Sequence, residues 1–97
     1  MAFAVEYVMV RNDTSVDFPL LSDSDQAAIE NLRNEHNVNS VINISDDGLT
    51  WTMRQSTDTV SDYSTYYEKA GKYWDNSKIV ARCSALNIKI SMDVVAE

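Results

Sequence analysis

The residues able to do chemistry are few and scattered. One histidine, His36, and one cysteine, Cys83, stand in a chain of 97 residues. His36 is the side chain whose ordinary titration lies near neutral pH. It falls at the predicted end of a helix, where the dipole favours a charged imidazole; a general base is the competing role. Cys83 has no second thiol to pair with, and its apolar surroundings, from Ala81 to Leu86, predict a buried structural thiol. No serine, and not Cys83 either, has a histidine at a spacing that suggests a nucleophile pair. Cysteine pairs, histidine pairs and regularly spaced acidic loops are all missing, so no metal is expected. Asp46-Asp47 reads as a turn, and Asp23 and Asp25 read as charges favoured at a helix N-terminus. Gly48 and Gly71 are the only glycines, too few for a phosphate-cradling loop. No cofactor is therefore expected.

The unusual concentration is aromatic. Tyr63, Tyr66, Tyr67, Tyr73 and Trp74 crowd one helical stretch, and Trp51 stands on the strand before it. Tyr66 and Tyr67 point about 100° apart on a helix, so these rings cannot all face one core. Three roles remain open: ordinary core with amphipathic surface rings, an aromatic interface, or a small-molecule pocket. A pocket holding His36, or a buried tyrosine hydroxyl beside Arg54, would point to catalysis. A filled core would point to an interaction module.

The elements that must carry these residues are legible from periodicity. Phe3, Val5, Tyr7 and Met9 alternate with Ala4, Glu6, Val8 and Val10, predicting a strand over 3–11. Its second face is only partly polar, so Val8 and Val10 are candidates for a covered interface. An extended stretch follows, in which Pro19 holds Phe18 away from the helical region. Ser22 is an N-cap with Leu21 as its hydrophobic staple, opening a helix over 23–36 with Ala28, Ile29, Leu32 and His36 inward. Asn37-Val38-Asn39 ends it. Val41–Ile44 and Leu49–Gln55 then form a hairpin around Asp47-Gly48, a dipeptide that tolerates positive φ. Leu49, Trp51 and Met53 form the apolar face of its second strand. Ser61 is a candidate N-cap for the aromatic helix, which weakens near Gly71 and Asp75-Asn76. Ile79, Val80, Cys83 and Leu86 mark a short third helix or the same helix resumed. Ile88, Ile90, Met92 and Val94 alternate with polar residues as a last strand with one inner face.

Strand, helix, strand, strand, helix, strand is the order of an α+β domain. It predicts the ferredoxin-like split βαβ pattern, one antiparallel sheet with its helices on a single face. An apolar fraction of 44% suits one globular domain over 1–97 with a modest core. No apolar run approaches the roughly 20 residues of a membrane span. The opening Met1-Ala2-Phe3-Ala4-Val5-Glu6 lacks a basic start, so a cytoplasmic location is expected and no membrane partner. Eight bases face fifteen acids, a net charge of -7. Such a surface repels phosphate backbones, and no nucleic-acid partner is expected.

The block from Asp47 to Tyr67 joins a hairpin, a Trp-bearing strand, a Ser/Thr-rich junction and a helix opening Val60-Ser61-Asp62-Tyr63. With the element order, it resembles the dimeric α+β barrel families, among them antibiotic-biosynthesis-type monooxygenases and stress-response barrel proteins. It is also similar to small uncharacterised proteins of marine phages. The resemblance implies a homodimer formed by two sheets and, by the second likeness, a viral origin. Two functions follow as expectations. The first is a non-catalytic homodimeric assembly or interaction module, supported by the missing catalytic set. The second is a small cofactor-independent monooxygenase or isomerase of the barrel type. A small-molecule ligand is an open reading that no motif supports.

Overall fold

The computed structural model describes residues 2–96. Three segments of alternating apolar residues pair side by side: β1 (Phe3–Val10), β3 (Thr50–Thr57) and β4 (Lys89–Ala96). A fourth strand, β2 (Asn39–Ile44), adds to the far side of β3. Among the described residues the sheet order is β2-β3-β1-β4, with every pairing antiparallel. Helices α1 (Asp23–Glu35), α2 (Val60–Ala70) and α3 (Asn76–Ala85) complete the expected α+β, ferredoxin-like arrangement.

The barrel does not hold. β2 and β4 lie at opposite edges of the sheet and do not bond to each other, so the sheet is open. Four strands are also about half the number around which small barrels close.

Local chemistry sets the element ends. The Ser22 hydroxyl accepts from the Asp25 amide and opens α1. Asn37 and Asn87, both at φ 56°, turn the chain in the left-handed region after α1 and α3, a conformation that asparagine tolerates well. The hairpin turns through Gly48 at φ 75°, where a Cβ would be strained. Asp47 takes hydrogen bonds from the Ser45 hydroxyl (2.6 Å) and the Leu49 amide (3.0 Å). Those bonds hold its carboxyl below the ordinary carboxylate range, as turn formation requires. The α2 cap differs from expectation: Thr59, not Ser61, accepts from the Asp62 amide at 3.1 Å. Ser61 sits one residue inside the helix.

β3 alternates strictly, with Trp51, Met53, Gln55 and Thr57 buried and their neighbours partly exposed. The buried set of β1 on the same face is Val5, Tyr7 and Met9. Ile29 of α1, Tyr63, Tyr66 and Ala70 of α2, and Ile79 and Cys83 of α3 close the core over them. The inner face of β4 is only half covered. Ile88 and Ile90 join the core, while Met92 and Val94 are 50% and 65% exposed. Helix length explains this: the ten residues of α3 rise about 15 Å, whereas the eight of β4 span about 27 Å.

Candidate functional site

The aromatic concentration closes around a cavity. Gln26, Ile29 and Arg33 of α1 form one wall, and Tyr63, Tyr66, Tyr67 and Ala70 of α2 face them. Its floor is the sheet: Tyr7, Trp51, Met53, Gln55 and, at the β2 edge, Ile42. Leu20 and Leu21, at the end of the extended stretch, and Trp74, after α2, close the sides. The volume is about 130 Å³, and the space is partly open to solvent. That approaches the roughly 150 Å³ of an engineered apolar protein cavity known to take up benzene.

Several local devices hold the walls. The amides of Tyr73 and Trp74 both donate to the Ala70 carbonyl, so the chain folds back as α2 ends. The Trp74 indole then donates to Asn76 Oδ1 at 2.9 Å, and Asn76 Nδ2 donates to the Tyr67 hydroxyl. Trp51 and Trp74 lie 12° from parallel with centroids 6.5 Å apart, within the range of offset aromatic pairs. Arg11 pins the stretch that leads to Leu20. Its Nε donates to the Gly48 carbonyl (2.8 Å), another guanidinium nitrogen donates to the Val16 carbonyl (2.7 Å), and the group lies 4.3 Å from the Phe18 ring centre.

Polar groups in the cavity converge on Gln55, which is 4% exposed. The Tyr63 hydroxyl donates to Gln55 Oε1 at 3.3 Å. Gln55 Nε2 donates to the Tyr66 hydroxyl oxygen at 3.1 Å, and the Tyr7 hydroxyl adjoins that of Tyr63. Burial pushes all three phenols above the ordinary tyrosine range. For Tyr66 the bond from Gln55 and the charge of Arg33 pull downward, and burial outweighs both. At neutral pH these groups are donors rather than bases. Arg33 is the one charged residue in the lining, and among the described residues its guanidinium has no ion pair or hydrogen bond.

Of the residues singled out from the sequence, the structure brings Trp51, Tyr63, Tyr66, Tyr67 and Trp74 together. Tyr73 packs partly buried against the core but does not line the cavity. His36 caps α1 outside it, with Nε2 3.2 Å from Lys69 Nζ and 4.0 Å from Glu35 Oε1. Arg54 lies on the opposite face of the sheet, 3.8 Å from Glu6 and away from the buried tyrosine hydroxyls. Val8 and Val10 share that face with Thr50 and Thr52, which pair with them across β1 and β3. Cys83 is fully buried, its thiol pushed up by burial and 3.8 Å from Met9 Sδ.

Gln55, Arg33 and Tyr7 are the members that the chemistry-bearing types did not reveal. Gln55 carried a signal, since it continues the inward phase of Trp51 and Met53 as a polar residue. Among the described residues there is no cluster of three or more His, Cys, Asp or Glu. No helix among them is long and apolar enough to cross a membrane.

Two solved structures share this architecture. A dimeric ferredoxin-like protein from an uncultured marine organism is 13% identical, with 99% of this chain and 89% of its own covered, at a TM-score of 0.58. Rv0793 from Mycobacterium tuberculosis is 12% identical, with 100% of this chain and 95% of its own covered, at a TM-score of 0.51. At those identities the likeness is one of fold. No family model and no curated protein matches the chain. None of these likenesses is to a phage protein, so the expected kinship with phage proteins and the viral origin drawn from it have no support.

Proposed function

We propose that the protein is a binding module that takes a small, one-ring apolar molecule between its helices and its sheet. The cavity of about 130 Å³, walled by Trp51, Trp74, Met53 and Ile29, carries this reading. A pocket mostly apolar, with a few convergent polar groups, is the usual form of a small-molecule site. The reading assigns no bond-making step. The phenols are held protonated, the thiol of Cys83 is buried elsewhere, and His36 stands outside the cavity.

Both tryptophans of the chain line the cavity, so tryptophan emission reports its occupancy. Titration with neutral one-ring compounds should change that emission saturably. Ala70→Leu should fill the space and remove the response while the fold persists. An unresponsive wild type, or a response that survives Ala70→Leu, contradicts the reading.

A second observation favours self-assembly. Met92 and Val94 on β4, with Val80 on α3 and Leu86 at its C-cap, leave apolar side chains in solvent beside a free sheet edge. Such an edge is a template for pairing unless something covers it. We infer a homodimer joined along β4, and the dimeric state of the ferredoxin-like protein of similar fold supports it. The face carrying Val8 and Val10 supports an interface less well, because Glu6, Thr50, Thr52 and Arg54 surround it. Sedimentation at micromolar concentration should give a dimer that Val94→Asp dissociates; a monomer at every concentration contradicts the inference.

A further inference from the structure

Two features of the cavity are left unused by a purely apolar occupant. The Tyr66 hydroxyl accepts from Gln55 Nε2, and among the described residues its own proton goes to no acceptor. Tyr66 is only 3% exposed, so that donor is held away from bulk solvent and belongs to the cavity it lines. A buried donor without an acceptor is costly, and it gains a strong bond when a charged acceptor arrives. Arg33 is the second feature. Its guanidinium, unpaired among the described residues, belongs to the same lining, and its charge is felt at the Tyr66 hydroxyl. No carboxylate lines the cavity to oppose an incoming anion.

We propose that the ligand is a small aromatic monoanion, its ring against Trp51, Trp74 and Met53 and its anionic oxygen between the Tyr66 hydroxyl and the Arg33 guanidinium. The proposal rests on the reading of the cavity as a ligand site and adds the charge and ring character of the ligand. Flat indole faces and a thioether favour a polarizable ring over a puckered aliphatic one. The single positive charge in the lining matches one carboxylate or one phenolate. Phosphate alone would leave the aromatic walls without a partner. A large fused ring system exceeds a space that approaches the volume of a benzene-binding cavity.

Calorimetry with benzoate, its neutral isostere benzamide and cyclohexanecarboxylate tests the assignment on the intact protein. Benzoate should bind one to one, about tenfold or more tighter than either comparator, since bonds to charged groups exceed neutral ones by such factors. Arg33→Gln should remove the preference for benzoate over benzamide. Tyr66→Phe should weaken benzoate about tenfold and leave benzamide less affected. Arg33 is on a helix surface and its replacement leaves the core intact, and the wild-type comparison needs no variant. Equal binding of benzoate and benzamide, unchanged in Arg33→Gln, would overturn the anion while the cavity reading survives. Equal binding of benzoate and cyclohexanecarboxylate would overturn the aromatic ring. Failure of all three, together with an unresponsive tryptophan emission for neutral rings, would remove the cavity reading and the proposal with it.

Discussion

The centre of the helical side and the β4 flank are both apolar, yet they are built differently. At the centre, α1 and α2 stand over β3 and β1, and Trp51, Tyr63 and Tyr66 are nearly inaccessible. At the flank, Met92 and Val94 follow the same period of two but stay half or more exposed. Alternation therefore reports which side of a strand is apolar, and the length of the covering helix decides whether that side becomes core. The centre differs in a second way. Its burial is interrupted by hydroxyls and an amide that bond mainly to one another, so it has a polar interior that the flank lacks.

Truncation gives the sharpest contrast. Trp51→Ala should cost about 3–5 kcal/mol, the usual range for deleting a large buried ring. A shift in denaturant midpoint worth less than about 1 kcal/mol would show that the centre is not a packed core. Gln55→Leu should cost about 1–3 kcal/mol, because it takes a hydrogen-bond partner from the buried residues Tyr63 and Tyr66. Chemical unfolding that shows no loss would mean these hydroxyls find other partners.

Alkali probes the same interior through protonation. The pKa values of Tyr7, Tyr63 and Tyr66 are raised in the folded state. Their contribution is therefore complete below the ordinary tyrosine value of about 10 and is lost as pH rises toward the folded values. Stability should fall as pH rises above about 10, and Tyr63→Phe should blunt that fall. A flat profile through this range would contradict the buried network. The smallest effect is expected at the flank. Val94→Ser should change the stability of the dissociated chain by less than about 0.5 kcal/mol. A larger loss, measured at concentrations where the chain is monomeric, would place Val94 in the core.

Much of the fold was legible because local rules agreed with the tertiary outcome. The Asp47-Gly48 turn, the Ser22 cap and the Asn37 turn that ends α1 act within a few residues of themselves. Openness of the sheet was less legible. It depends on which strands stay unpaired at the edges, and the pattern of Ile88 to Val94 reads alike in a barrel and in an open sheet. The site divides in the same way. Crowding of rings along α2 signalled an unusual region, and five of the rings named there do meet. Gln55 and Arg33 escaped because their role comes from convergence across β3, α1 and α2, which no spacing along one element encodes. His36 and Arg54 drew attention by chemical type, and the topology puts them outside the cavity and on the opposite face of the sheet.

A ligand in the space among Trp51, Trp74 and Tyr66 would be felt first by the groups that line it. Nuclear magnetic resonance of the labelled protein, titrated with benzoate, tests it most directly. Saturable shifts should concentrate on the indole N–H groups of Trp51 and Trp74, on the Tyr66 ring and on Arg33, with Met92 and Val94 unmoved. Shifts confined to the β4 flank, or none at all, would contradict it.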